Sequence, residues 1–346
     1  MRHWRRIEGM DDVAEAANSN GLRWGILGTG WIAQEFTTDL LATGGTITAV
    51  GSRTQESADA FAAEHGIQKT HASYEALVAD PDVDVVYIST PHPFHYDNAK
   101  LVLNAGKHAL VEKAFTLNAK EAREIVELAD AKKLVVLEAM WTRWLPHMVR
   151  IRELIAEGKL GDVRTVIADH NQKLPSDPNH RILNPDLGGG ALLDLGIYPV
   201  SFAWDIFGKP NAIHAIATPT ASTGVDRQTA IILGYEGGQQ AVLHTALDTL
   251  GPNTASVIGT EGRIEIDSVW YTATTFTAYD STGAVIERFD QPVVSRGMQY
   301  EAFALEKLVA DGVLAGVELP PVETVEIMET LDEIRRQIGL TYPGEH

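Results

Sequence analysis

The chain predicts an α/β protein in two parts: an open parallel sheet covered by helices, then an α+β part built on a large open sheet, mixed but mainly antiparallel. Three observations carry this. Over residues 22–140, apolar strand-like runs alternate with helical stretches across short links, the rhythm of a parallel sheet with helices on both faces. After about residue 145, strand-like segments follow one another with Gly-rich turns such as "YEGGQQ" and "GTEGR", which argues antiparallel pairing. A length of 346 residues also exceeds what one core comfortably holds. The expected division is an extension over residues 1–21, a first domain over 22–143 and a second over 144–346.

In the first domain, "LRWGIL" (22–27) reads as a buried strand, "GTGWIA" (28–33) as the turn after it, and a helix runs from there to about Thr43. "TITAVG" (46–51) is the next strand. "ESADAFAAEHG" (56–66) is a helix that stops on Gly66. "VDVVYIST" (83–90) is a strand, "HYDNAKLVLNAG" (95–106) a helix and "HALV" (108–111) a strand. "NAKEAREIVELADAKK" (118–133) is helical and "LVVLEAM" (134–140) is a strand. In the second domain a helix opens at Pro146, a residue suited to the first helical position. Strands are expected at 163–170, 211–218, 229–235, 239–247, 254–259, 262–267, 274–280 and 284–289. Residues 189–207 read as a helix, and two more close the chain near 299–311 and 322–338.

Composition narrows the function. The net charge of −19 disfavours nucleic acid and anionic membrane as partners. There are no cysteines, which excludes disulfides, zinc–thiolate sites and thiol nucleophiles. No apolar run approaches the ~18 residues of a membrane span. The start carries Arg2, Arg5 and Arg6 but no apolar core, so it is not a secretory signal, and a cytoplasmic setting is expected.

Gly28, Gly30 and Ala33 form G-x-G-x-x-A between a strand and a helix. Alone that is a tight turn. Here it heads a βαβ unit, where Gly30 lets backbone approach a pyrophosphate and the helix N-terminus faces the phosphates. A Rossmann dinucleotide-binding domain follows. At the end of the second strand, where NAD sites usually offer an acid, stand Ser52 and Arg53. A hydroxyl and a guanidinium suit a 2′-phosphate, so NADP is expected ahead of NAD. Expected cofactor contacts are Gly28, Thr29, Gly30, Trp31, Ile32, Ser52, Arg53, Thr90, His92, Glu112 and Lys113.

"LVEKAFT" (110–116) ends a core strand on Glu112 and Lys113. Strand parity sends the two to opposite sides, so they are expected to do separate jobs, with Lys113 at the sheet edge where ligands bind. A surface ion pair is the plainer reading. "STPHPFH" brings His92 and His95 to a neighbouring edge; their H-x-x-H spacing has no third ligand to follow, so no metal is expected. "EAMWTRW" brings Glu138, Trp141, Arg143 and Trp144. In "LGGGALLDLGIYP" (187–199), Asp194 and Tyr198 lie four apart and would share one helix face, although Gly196 and Pro199 make that helix irregular.

These motifs, in this order over nearly all of residues 22–340, resemble the Gfo/Idh/MocA oxidoreductase family. "VEKAFT", "EAMWTRWLP" and "GGGALLDLGIYPV" are most similar to its branch holding dimeric dihydrodiol dehydrogenase and NADP-dependent D-xylose dehydrogenase. The resemblance implies hydride transfer between nicotinamide and a hydroxyl of a sugar or cyclic polyol. It implies a catalytic set of Lys113, Tyr198 and Asp194. Unperturbed Tyr and Lys titrate near ~10, so an ammonium–phenol pair is expected to favour phenolate, with Tyr198 accepting the proton or the two exchanging roles. His95, Trp141, Arg143, Arg181, Asp194 and Tyr198 are the expected substrate contacts. Most members have Pro where Ala114 stands; for Ala a cis bond costs about 2.5–4 kcal/mol, so a trans Lys113–Ala114 bond is expected. A cofactor-retaining glycosidase of the same family and a non-catalytic NADP sensor are the alternatives. The apolar strands "AIILGY" and "AVLHTAL" leave one sheet face needing cover, which predicts a homodimer or homotetramer.

Overall fold

The computed structural model describes residues 21–345; the extension expected over residues 1–21 lies outside them except for Gly21. The described chain divides into two compact units. One holds residues 21–141 and 294–325, the other residues 142–293 and 326–345. The sequence suggests a single cut near residue 143; the structure returns 294–325 to the first unit. Long-range polar contacts make that return. Asp39 accepts from the Ser295 hydroxyl and, at 2.9 Å, from the Met298 N–H, and Trp24 Nε1 donates to Glu306 at 2.8 Å.

The first unit runs β1 (Arg23–Leu27), α1 (Trp31–Ala42), β2 (Thr46–Gly51), α2 (Gln55–His65), β3 (Lys69–His71), α3 (Tyr74–Val78), β4 (Val85–Ile88), α4 (His95–Asn104), β5 (His108–Glu112), α5 (Ala119–Lys132) and β6 (Val136–Ala139). Its sheet is wholly parallel in the order β3-β2-β1-β4-β5-β6. Helices on both faces explain why β4, β5 and β6 read as near-continuous apolar runs. Caps set the helix ends: Thr54 accepts from the Ser57 N–H to start α2, and Gly66 closes it at φ +72°. The order reverses between β1 and β4, which opens a crevice beyond their C-terminal ends. β3 and α3 are short and without clear periodicity, and the sequence reading passes over both.

The chain continues with α6 (Pro146–Ala156), β7 (Val163–Asn171), one π-helical turn (Leu192–Gly196) leading into α7 (Ile197–Phe207), and β8 (Ala212–Pro219). Then come β9 (Asp226–Gly234), β10 (Gln240–Ala246), β11 (Ala255–Gly259), β12 (Gly262–Ile266), β13 (Phe276–Asp280) and β14 (Val285–Phe289). α8 (Gln299–Ala310) belongs to the first unit, and α9 (Pro321–Ile338) ends in the second. The second unit's sheet has eight strands in the order β14-β13-β12-β11-β7-β10-β9-β8, antiparallel except for the β7–β10 pair. All eight match the strands expected from the sequence.

Strand alternation gives this sheet two unlike faces. Val166, Ile231, Leu233, Ala241 and Leu243 point inward and are buried, with α7 packed over β7 and β10. Ile167, Val242 and Ile232 point the other way. They sit in register across β7, β10 and β9 and are 46, 43 and 47 % exposed. Among the described residues no helix is long and apolar enough to cross a membrane.

Candidate functional site

The turn after β1 is shaped by its glycines. Gly28 holds φ at +103°, and a Cβ there would lie 2.8 Å from the Ser89 hydroxyl. Gly30 caps α1 with nothing described within 4 Å of where a Cβ would stand, and as glycine it offers no capping side chain. That cradle fits the diphosphate of a dinucleotide: backbone donors, a positive helix end and room for close approach. Trp31 stands exposed at the mouth of the turn. The Arg296 guanidinium lies 5.1 Å from the centre of its ring and 5.8 Å from that of Trp141. Arg296 comes from the returning segment, and nothing local in the sequence points to it.

At the end of β2, Ser52 is buried, its N–H bonded to the His71 carbonyl and its hydroxyl 3.4 Å from that of Thr29. Arg53 is exposed and close enough to the half-buried Tyr74 phenol to oppose the upward pull of burial on it. A hydroxyl and a free cation side by side make a phosphate-accepting corner. The corresponding acid of a ribose-diol site is absent at residues 52 and 53.

The turn after β5 separates its two charges. Glu112 is buried, and its Oε1 accepts from the Tyr87 phenol at 2.5 Å. Lys113 is part-exposed. The Lys113–Ala114 peptide is cis, which corrects the expectation of trans. That expectation weighed the dipeptide alone, whereas tertiary contacts grip both its carbonyls. His92 Nε2 lies 3.2 Å from the Lys113 oxygen, and His95 Nδ1 lies 2.9 Å from the Ala114 oxygen. The Phe115 N–H donates to Glu138 at 3.3 Å.

His95 is fully buried, with Nε2 at 2.6 Å from the Thr90 carbonyl. Burial lowers it to about 4, so it stays neutral. It braces the Lys113 turn instead of meeting substrate as expected. Behind this turn lies Glu301 of α8. It is fully buried, with neither carboxylate oxygen hydrogen-bonded. Burial first, then Glu112, Asp39 and Glu138, raises its titration well above the ordinary carboxyl range. These surroundings favour the neutral acid over the carboxylate.

The second unit carries the other expected residues. Pro199 has no N–H to continue a regular ladder, and the Ile197 N–H reaches back five residues to the Leu192 carbonyl. The irregularity expected of this helix takes the form of one π turn, and Asp194 lies within it. Asp194 is buried and bonded at 3.1 Å to the half-exposed Arg181. Tyr198 stands at the head of α7 with its ring edge-on to His170, 4.9 Å between centroids. His170 stacks on Tyr271 at 3.6 Å. Gln172 Nε2 lies 2.9 Å from His170 Nε2 and 3.3 Å from the Tyr271 hydroxyl.

His170, Gln172 and Tyr271 escape the sequence reading; the one signal is a polar run, "DHNQ", where β7 should have ended. Burial pushes the Tyr271 phenol up to about 12, so it remains a hydrogen-bond donor. Arg143 departs from its expected role as a substrate contact. It is buried, and its guanidinium bonds the Ser201 hydroxyl and carbonyl and Asp205, which also pairs with Arg152. It fastens α7 from below. Trp141 and Trp144 are both buried, each in its own unit.

A family model described as the oxidoreductase family with NAD-binding Rossmann fold matches residues 22–140, and one described as the GFO/IDH/MocA C-terminal domain matches residues 148–265. Among curated proteins, the chain is 36% identical to D-xylose 1-dehydrogenase (NADP(+)) of Hypocrea jecorina, covering 95% of each chain. It is also 36% identical to trans-1,2-dihydrobenzene-1,2-diol dehydrogenase of Mus musculus, over 94% of this chain and 99% of that one. Solved structures with the same fold include an aldose-aldose oxidoreductase from Caulobacter crescentus. It has a TM-score of 0.81 at 24% identity, over 92% of this chain and 97% of that one. A 3-ketoreductase from Actinomadura kijaniata has a TM-score of 0.78 at 23% identity, over 92% and 98%.

Proposed function

The chain belongs to the GFO/IDH/MocA family of oxidoreductases, and from that premise we propose that it is an NADP-preferring dehydrogenase for a secondary or anomeric hydroxyl of an aldose, a cyclic polyol or a trans-dihydrodiol. The observation that carries the reading is the division at the end of β5: Glu112 is turned inward and Lys113 is left part-exposed at the ligand-binding edge of the sheet. Ser52 and Arg53 support the choice of NADP. The names of the relatives support the substrate class.

A bound nicotinamide supplies the carbon that takes up the hydride from the alcohol carbon. The chain's own residues handle the proton and the geometry. Tyr198, as phenolate, takes the hydroxyl proton while the alcohol C–H bond breaks and the C=O bond forms. Lys113, an ammonium at the ligand-binding edge of its own sheet, is the second candidate for handling that proton. Asp194, steadied by Arg181, accepts from a neighbouring substrate hydroxyl and orients the ring. Tyr271 and His170 offer an aromatic wall beside Tyr198. In the reductive direction Tyr198 returns the proton.

In this reading the protein works in the cytoplasm as a homodimer or homotetramer. The second copy covers the row Ile167–Val242–Ile232, whose three β-branched side chains form a continuous apolar strip on the face opposite the buried one. The decisive experiment is a panel of aldoses, cyclic polyols and dihydrodiols with NADP and NAD, read by reduced-nicotinamide absorbance. Net turnover of free NADP supports a dehydrogenase. Glycoside cleavage without net cofactor change, or tight NADP binding without turnover, overturns it.

A further inference from the structure

Asp226 opens β9 and is buried, far in sequence from the segment that carries Asp194 and Tyr198. Its Oδ2 accepts from the Leu192 N–H at 2.9 Å and from the Thr229 hydroxyl at 2.7 Å. It therefore grips the first residue of the π turn. Its Oδ1 has no hydrogen-bond partner and points at Gly190, where φ is +121° and a Cβ would lie 2.3 Å from that oxygen. Only glycine lets the loop come this close.

The other side of the loop is held from the C-terminal tail. The buried Tyr342 phenol donates to the Gly189 carbonyl at 2.7 Å. Tyr342 is itself fixed: its N–H bonds Glu345 at 3.0 Å, and Arg335 of α9 pairs with Glu345 at 2.6 and 2.9 Å while lying 5.2 Å from the centre of the Tyr342 ring. Two residues remote in sequence thus meet two consecutive glycines, Gly189 and Gly190, and the turn that follows them.

We propose that Asp226 and Tyr342 are positioning residues that clamp the Gly189–Leu192 backbone from two sides and so set the placement of Asp194 and Tyr198 for proton transfer. The proposal rests on the reading of Tyr198 as the proton-transferring residue. Single π turns inside α-helices are rare and frequently lie at functional sites, and the start of this one is held by the Asp226 bond to the Leu192 N–H. The clamp also has a charge state. Burial raises Asp226 to about 7. The groups around it are Thr229 on its own strand, its own N–H, the N–H groups of Ala191 and Leu192, and Tyr342, which in turn faces Arg335, Glu345 and Asp194. Above that pH the carboxylate accepts the Leu192 N–H bond more strongly than the neutral acid does.

The test compares wild type with Asp226→Ala, Asp226→Asn and Tyr342→Phe, using Tyr198→Phe as reference and measuring kcat, KM, NADP affinity and melting temperature. Asp226→Ala and Tyr342→Phe should lower kcat by about ten-fold or more, with NADP affinity unchanged. Asp226→Asn keeps an accepting oxygen, so it should restore most of kcat and lose the part of the pH dependence centred near 7. If Asp226→Ala fails to fold, Tyr342→Phe and Asp226→Asn carry the test. Wild-type kcat and pH profile in both of these, beside an inactive Tyr198→Phe, overturn the clamp alone. An active Tyr198→Phe enzyme overturns the proton-transfer reading and the clamp with it.

Discussion

The Tyr87 phenol on β4 donates to the Glu112 carboxylate on β5 at 2.5 Å, across adjacent parallel strands. This bond gives Glu112 a reason to face inward and so leaves Lys113 at the opposite side of the strand end. Tyr87→Phe removes the donor and leaves a buried carboxylate short of a partner. It should lower unfolding stability by about 1–3 kcal/mol, read from the urea midpoint at unchanged slope.

Lys113→Met and Tyr198→Phe should each lower kcat by about 10²–10⁴, with NADP binding retained in Tyr198→Phe. Steady-state rates and cofactor fluorescence titration check this. Full activity in either variant would reject its residue as part of the proton-transfer machinery.

Arg53→Asp places a carboxylate where a cation is expected to meet the 2′-phosphate. A lost charge-assisted hydrogen bond is worth about 1.5–3 kcal/mol, so kcat/KM for NADP should fall about ten-fold or more. The value for NAD should hold or rise. Unchanged NADP kinetics would remove Arg53 from the cofactor site.

Glu301 links pH to stability. Its folded-state titration lies above the unfolded value, so the native protein binds the extra proton. Its contribution is then fully present below the ordinary carboxyl range and is lost as pH rises toward the raised value. Glu301→Gln keeps the shape without the titration. The melting temperature of wild type should fall relative to this variant as pH rises; parallel curves would show that Glu301 does not carry a raised titration.

Ile232→Lys puts a charge in the middle of the exposed apolar row of the eight-stranded sheet. Light scattering should show wild type as a dimer or tetramer and the variant as a smaller species with its melting transition retained. A wild-type protein that is strictly monomeric at micromolar concentration would remove the self-association reading.

Much of the architecture is legible because buried parallel strands must be apolar throughout, so the runs ending at Leu27, Ile88 and Val111 announce themselves. Gly28 and Gly30 are legible for a similar reason: few residues tolerate what that turn requires. The failures share a different cause. His95 and Arg143 read as ligand-facing because they are polar and near strand ends; only the fold reveals the Thr90, Ala114, Ser201 and Asp205 groups that occupy them. Gly196 and Pro199 mark the segment as irregular, but nothing local says that the irregularity is a π turn. His170, Tyr271 and Glu301 take their meaning from partners in remote segments, and no local spacing encodes such a meeting.

Because residues 294–325 return to the first unit, the nucleotide-binding half is written in two separate stretches of the gene, with the sheet-rich half spliced between them. Exchanging cofactor halves between relatives at one crossover near residue 141 would therefore mate a native Asp39 with foreign counterparts of Ser295 and Met298. A working chimaera needs matched crossovers on both sides of the insert, and a fragment stopped at residue 143 would lack α8, the helix that carries Glu301 and Glu306.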